Sequence, residues 1–201
     1  MLEGWIPRAK SEQTESRRLA CGAGEPGNVR MFGKKDPVWQ ADLARVNQKW
    51  AILREQSLWA ICVYRFGQRV DKRQNGIAKT MYLIAYKIAQ LVVETITGVR
   101  IPKNCMIGKG LRIWHFGGIF INPNTVIGEY CTMRQGVTMG NVHNGEEAPT
   151  IGDNVEIGAY AQILGDIHIG NNCRIGALAL VIDDMPDNST AVGQKARIIQ
   201  R

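Results

Sequence analysis

The stretch Ile151-Gly-Asp-Asn-Val-Glu-Ile157-Gly-Ala-Tyr-Ala-Gln-Ile163-Leu-Gly-Asp-Ile-His-Ile169-Gly-Asn-Asn-Cys-Arg-Ile175-Gly-Ala-Leu-Ala-Leu-Val181 repeats itself every six residues. A branched aliphatic side chain opens each sextet and Gly usually follows. A small or apolar residue stands four further on, as at Val155, Ala161, Ile167, Cys173, Ala179 and Met185. A period of six matches neither the 3.6 of a helix nor the 2 of an ordinary strand. It fits a hexapeptide solenoid in which each sextet is a short strand plus a corner and three sextets complete a triangular turn. Such turns stack at about 4.8 Å, the spacing of hydrogen-bonded strands. The same beat runs earlier through Ile101, Ile107 and Ile113, then Ile121, Ile127, Met133 and Met139. Gly152-Asp-Asn154 and Gly170-Asn-Asn172 supply the residue types that tolerate left-handed backbone at corners.

Working outward from the repeat, the 201-residue chain has room for one sizeable core and a smaller accessory unit. Residues 1–35 are polar, Gly-rich and aperiodic, which predicts disorder. Residues 36–98 turn helical. Asp36-Pro37 reads as an N-cap and first-turn pair, with Leu43, Val46, Trp50 and Leu53 following at helical steps. A second apolar run spans Leu58 to Phe66. A third helix is predicted from about Ile77 to Thr97, closed by Gly98. The solenoid follows over 99–190, and 191–201 form a tail.

The net charge of +7 favours anionic partners, a phosphate-bearing cofactor among them. No nucleic-acid motif accompanies the charge, so no nucleic-acid partner is expected. Of five cysteines, Cys105, Cys131 and Cys173 hold inward repeat positions and read as core residues in a reducing compartment, not as disulfides or metal ligands. The N-terminus lacks a signal-peptide core. Lys79, Lys87 and Glu94 interrupt the most apolar stretch, so no spanning helix is expected and the predicted location is cytoplasmic.

The beat breaks twice. Between Ile113 and Ile121 the step is eight, and the intervening stretch is Trp114-His115-Phe116-Gly117-Gly118. An insertion pushes a side chain out of a regularly stacked face, and imidazole is suited to proton transfer near neutral pH. A surface histidine in a tolerated bulge is the alternative. The second irregularity, Gly140 to Pro149, keeps phase over twelve residues, yet His143 and Pro149 suit an inward position poorly. An extruded loop is expected, with His143, Glu146 and Glu147 as candidates to contact a substrate or orient His115, or simply as solvated polar groups. His168, inside an unbroken sextet, is expected to face solvent.

Taken together, the Ile-Gly-x-x repeat, the break and the loop resemble the serine acetyltransferase branch of hexapeptide acyltransferases, and more closely its members in surface-polysaccharide synthesis. The resemblance runs from about Ile101 to Ile199. It is carried by Leu111-Arg-Ile-Trp-His-Phe-Gly-Gly-Ile119, Gln135-Gly-Val-Thr-Met-Gly140, Gly158-Ala-Tyr-Ala-Gln-Ile-Leu-Gly165 and Val192-Gly-Gln-Lys-Ala-Arg-Ile198. It implies a left-handed parallel β-helix, a homotrimer, and acetyl-CoA in the groove between neighbouring solenoids. It makes His115 the catalytic base and places the backbone at Ala159 and Ala177 along the pantetheine arm, with Gly140 in the same cofactor site. Arg174, Lys195 and Arg197 are the matching cations for the phosphates.

The departures concern the acceptor. Arg100 stands where serine acetyltransferases carry the Asp that orients the base, and Trp114 where they carry the Asp preceding it. Glu147-Ala148 replaces the Arg-His pair before the loop proline. Those groups handle the charges of serine, so a sugar hydroxyl is the favoured acceptor, with Trp114 offering an aromatic face, and L-serine is the alternative. Pairing of trimers into hexamers through the helices is a further expectation. So is peripheral membrane contact through Trp39, Trp50 and Trp59. No metal is expected, because His115, His143 and His168 are widely separated.

Overall fold

The computed structural model describes residues 36–46, 50–142 and 148–193. The regions expected to be disordered (1–35) and to carry Lys195 and Arg197, together with His143, Glu146 and Glu147, lie outside the described residues.

Among the described residues four helices precede the repeat: α1 (Pro37–Ala44), α2 (Ala51–Arg54), α3 (Gln56–Asp71) and α4 (Ile77–Thr97). Asp36 caps α1 as its sequence predicts, its carboxylate accepting from the N–H groups of Val38 and Trp39 at 3.0 and 3.1 Å. α4 ends at Gly98, which takes left-handed backbone at φ 64°.

The continuous helical stripe expected through Leu43, Val46, Trp50 and Leu53 does not form. α1 stops at Ala44, Trp50 adopts φ 64° ahead of α2, and Trp50 and Leu53 are exposed. The face that α1 buries is Trp39 and Asp42, with Val46 buried just beyond its end, because a polar side chain binds the junction with the solenoid. Asp42 accepts from Nε of Arg65 at 2.9 Å and from the backbone N–H of Leu111 at 2.9 Å. Arg65 also donates to the carbonyls of Ile107 and Gly108, each at 2.6 Å. Burial pushes the Asp42 carboxyl up and the adjacent Arg65 pulls it back. Of the tryptophans considered for membrane contact, only Trp50 is exposed. Trp39 is in the core, and the Trp59 indole N–H donates to the Ile52 carbonyl at 2.6 Å. No helix among the described residues is long and apolar enough to cross a membrane.

From Val99 onward the chain is the expected left-handed parallel β-helix, with fourteen short strands in three sheets among the described residues. Sheet A stacks β1 (Val99–Arg100), β4 (Ile119–Ile121), β7 (Thr138–Gly140), β10 (Gln162–Leu164) and β13 (Leu180–Val181). Sheet B stacks β2 (Met106–Ile107), β5 (Val126–Ile127), β8 (Thr150–Ile151) and β11 (His168–Ile169). Sheet C stacks β3 (Arg112–Trp114), β6 (Thr132–Arg134), β9 (Glu156–Ile157), β12 (Arg174–Ile175) and β14 (Thr190–Ala191). Every third strand pairs, so the sextet aliphatics pile up inside: Ile113, Met133, Ile151, Ile163 and Ile169 are wholly buried. Cys105, Cys131 and Cys173 are buried free thiols, as their repeat positions imply, and burial pushes Cys105 up to about 12.

At the corners it is the asparagines that turn left-handed, at φ 55° for both Asn154 and Asn172. Their partner glycines answer a different need. A Cβ on Gly152 would come within 2.7 Å of the Gly170 backbone, so Gly is there for close stacking of turns. Pro149 is buried where the chain rejoins β8, against its expected place in the extruded loop. His168 is half-buried rather than fully solvent-facing, and its backbone N–H donates to Asp184 at 2.7 Å.

Candidate active site

Strand register identifies the inserted residues. Ile157 pairs with Ile175, eighteen residues on, which is the length of three sextets. Met133 pairs with Ile157, twenty-four on, the surplus being the 140–149 loop. Ile113 pairs with Met133, twenty on. The surplus of two lies at the edge where sheet C passes into sheet A. Trp114 is opposite Arg134 before this corner, and Phe120 is opposite Thr138 after it. Gly136 N–H donates to Gly117 O at 2.9 Å, which matches Gly117 with Gln135. The two extra residues are therefore His115 and Phe116.

Both are exposed, and His115 sits at φ 59°, a left-handed backbone that few side chains adopt without a reason. Gly117 and Gly118 follow at φ 114° and 64°. Their positive φ lets the chain double back into β4, where Ile119 N–H donates to Gly98 O at 3.0 Å. The bulge is thus clamped to the end of α4 on one side and to the next turn on the other.

The same edge carries Ala159 and Ala177. Tyr160 N–H donates to Gln135 O, and Leu178 N–H to Ala159 O, both at 2.9 Å, so Gly117, Gln135, Ala159 and Ala177 form one vertical row. The N–H groups of Ala159 and Ala177 make no backbone hydrogen bond among the described residues. An extended polar chain laid along this row finds donors at successive turns. Gly158 keeps the row tight, since a Cβ there would lie 2.5 Å from Ala177 N. Gly158→Ala is expected to cost about 1–3 kcal/mol, the range for forcing an extra carbon into a packed site. A denaturant midpoint unchanged from the parent protein would contradict that close approach.

The remaining predicted residues fall elsewhere. Gly140 ends β7 at the opposite edge of sheet A, where its carbonyl accepts from Gly165 N–H at 2.8 Å. It is not beside His115 in the same chain. The loop stem sits at that opposite edge too, with Asn122 donating to Asn141 at 3.1 Å. Arg174 is exposed on the outer face of sheet C and lies 3.8 Å from Glu156. Arg100 lies at the start of the first turn, 3.8 Å from Glu94. His168, on sheet B, is on a different face from His115. Among the described residues no group of three or more His, Cys, Asp or Glu is placed to hold a metal ion.

Two side chains that the sequence reading passed over belong to this region. Gln135 lies one turn from the bulge, and its Oε1 is buried with no partner among the described residues. Arg112 is 4% exposed, lies 3.5 Å from Glu55, and stacks 4.3 Å from the Trp114 ring. Nothing in the sequence singles it out as buried. Only the packing of the helices over sheet C buries it.

The outer face of sheet A differs in character from that of sheet C. Phe120, Thr138, Gln162 and Leu180 stand in register on sheet A, with Phe120 and Leu180 exposed and no charge beyond Arg100. The register row on the outer side of sheet C is Arg112, which the helices bury, then Thr132, Glu156 and Arg174. His115 stands on the boundary between an apolar face and a charged one.

Comparison with known proteins matches residues 148–183 to the family described as bacterial transferase hexapeptide (six repeats). The serine acetyltransferase of Helicobacter pylori (strain ATCC 700392 / 26695) is 38% identical over 166 residues, which is 82% of this chain and 93% of that protein. WcaB of Escherichia coli (strain K12), named as a colanic acid biosynthesis acetyltransferase, is 41% identical over 125 residues, 62% of this chain and 75% of its own. The soybean serine acetyltransferase apoenzyme superposes with a TM-score of 0.67 at 28% identity, covering 82% of this chain and 70% of that one. With this fold, this edge and these relatives, the chain belongs to the serine acetyltransferase-like hexapeptide acyltransferases and is an acetyltransferase.

Proposed function

We propose that the protein transfers the acetyl group of acetyl-CoA to an acceptor hydroxyl, with His115 as the general base. The observation that carries this reading is the two-residue bulge itself. It sets an imidazole at one end of a row whose free N–H groups at Ala159 and Ala177 suit the amides of a pantetheine arm. His115 takes the hydroxyl proton as the oxygen attacks the thioester carbonyl, and the protonated ring returns that proton to the departing thiolate. The tetrahedral oxyanion is held by backbone N–H groups of the edge. Arg174 on the neighbouring face, with Lys195 and Arg197 beyond the described residues, would meet the phosphates.

The working form in this reading is a homotrimer. Sheet A, uncharged apart from Arg100 and with apolar side chains exposed, is the face that a second copy covers. The described stem of the loop, Asn141 and Val142, leaves from the far edge of sheet A, and in this reading His143, Glu146 and Glu147 serve the acceptor. α4 presents Ile77, Met81, Ile84, Ile88 and Leu91 to solvent, a surface through which trimers would pair into hexamers. The free buried thiols support a reducing, cytoplasmic setting.

L-serine is the acceptor that the relatives support best, since the Helicobacter pylori protein spanned over 93% of its length is named for it. A sugar hydroxyl of a surface polysaccharide is the second reading. One observation favours it: Trp114 beside the base is 45% exposed with the Arg112 guanidinium over its ring, a platform for a sugar ring. The test is CoA release from acetyl-CoA with L-serine and with a panel of saccharides. Turnover with serine alone removes the sugar reading, and turnover with saccharides alone removes serine. Acetyl-CoA that neither binds nor turns over removes the reading as a whole.

A further inference from the structure

The charged side of the active edge has a composition that a neutral sugar does not call for. Trp114 is the last residue of β3, next in the chain to His115, and Arg134 is its register partner on β6. Both are exposed, and Arg134 makes no ion pair among the described residues. Strands in such a ladder lie about 4.8 Å apart, so indole and guanidinium stand side by side on one surface. Arg112 supports the indole from within. Its guanidinium lies 4.3 Å from the Trp114 ring, and its Nε and Nη1 are buried without partners among the described residues. Its one ionic contact among the described residues, with Glu55, is long at 3.5 Å. A buried cation left short of partners keeps the local potential positive.

From this geometry we infer that the acceptor is a sugar acid, held with its ring on Trp114 and its carboxylate on Arg134, so that a ring hydroxyl faces His115. The inference rests on the O-acetyltransferase reading and narrows its acceptor. A hexuronic-acid residue has both parts that the surface offers partners for: an apolar ring face for the indole and a planar carboxylate for a guanidinium. L-serine shares the carboxylate but has no ring to cover the indole. Arg112 is a positioning residue here, since it acts through Trp114 and the local field, whereas Arg134 touches the acceptor.

The test compares methyl β-D-glucuronoside with methyl β-D-glucoside and L-serine on the full-length protein. Binding is followed by tryptophan fluorescence with Trp114→Phe as control, and turnover by CoA release. The glucuronoside is expected to bind at least about tenfold more tightly than the glucoside, the scale of one charge-assisted hydrogen bond. Arg134→Gln is expected to erase that preference by raising KM with kcat within about twofold, Arg134→Lys to retain part of it, and added salt to shrink it. Equal binding of the two glycosides, or an Arg134→Gln protein that keeps the preference, overturns the inference. So does turnover confined to serine and indifferent to Arg134, which leaves acetyl transfer intact. Loss of acetyl-CoA binding and of His115-dependent CoA release sinks the parent reading instead.

Discussion

Replacing His115 with alanine is expected to lower acetyl transfer by ~10²–10⁴-fold, the usual worth of a positioned general base, with the fold unchanged. The side chain is exposed and makes no hydrogen bond to another described residue, so its removal opens no cavity and orphans no buried group. The backbone is the only point of risk, because position 115 sits at φ 59°. His115→Asn answers it, since asparagine enters left-handed backbone more readily than alanine and cannot act as the base. Both variants should keep the parent denaturant midpoint and acetyl-CoA affinity while losing CoA release. Near-normal turnover in either would falsify the assignment. Failure of acetyl-CoA binding alongside lost turnover would mean that the bulge shapes the cofactor row instead of doing the chemistry.

Arg65→Met should destabilise the protein by about 3–5 kcal/mol, the cost of removing one partner from a buried ion pair. Asp42 is wholly buried and Arg65 is 4% exposed. Between them they tie α1 and α3 to the first turn, through Leu111 N–H and the Ile107 and Gly108 carbonyls. Without the guanidinium a carboxylate and two carbonyls are stranded in the junction. Asp42→Asn should cost less. Burial already works against the ionised carboxyl, and an amide still accepts from Leu111 N–H. The measurement is denaturant unfolding of both single variants and the double. A double variant less destabilised than Arg65→Met alone is the expected sign of coupling. A small effect of Arg65→Met would show that the helices dock on apolar contacts, with the ion pair contributing little.

The names of the Helicobacter pylori and Escherichia coli relatives point to different acceptors. In the proposed site the chain's own residues carry the discrimination. Trp114, next in the chain to His115, and its register partner Arg134 lie on the charged face, and the described stem of the loop at Asn141 leaves from the far edge of sheet A. In the proposed function a neighbouring subunit contributes that loop.

The period of six needed no tertiary information to be read. Each sextet repeats the same local problem, an inward aliphatic followed by a corner, and stacking repeats the same solution, so fold class and inward residues such as Ile157 and Cys173 follow from the chain alone. The same holds for the caps at Asp36 and Gly98, which depend on a few neighbouring residues. The eight-residue step marked the break in the same way. What it left undecided was which two residues bulge, since any pair between Ile113 and Ile121 satisfies the count. Pairing of Trp114 with Arg134 and of Gly117 with Gln135 singles out His115 and Phe116, because register is a relation between distant strands. Long-range contacts also broke the helical stripe at Trp50, buried Asp42 and Arg65, and put Arg112 beneath an indole. A charge in a sequence carries no mark of whether a helix will later cover it, so only the assembled structure shows which cations lost their water and which stayed free to meet a substrate.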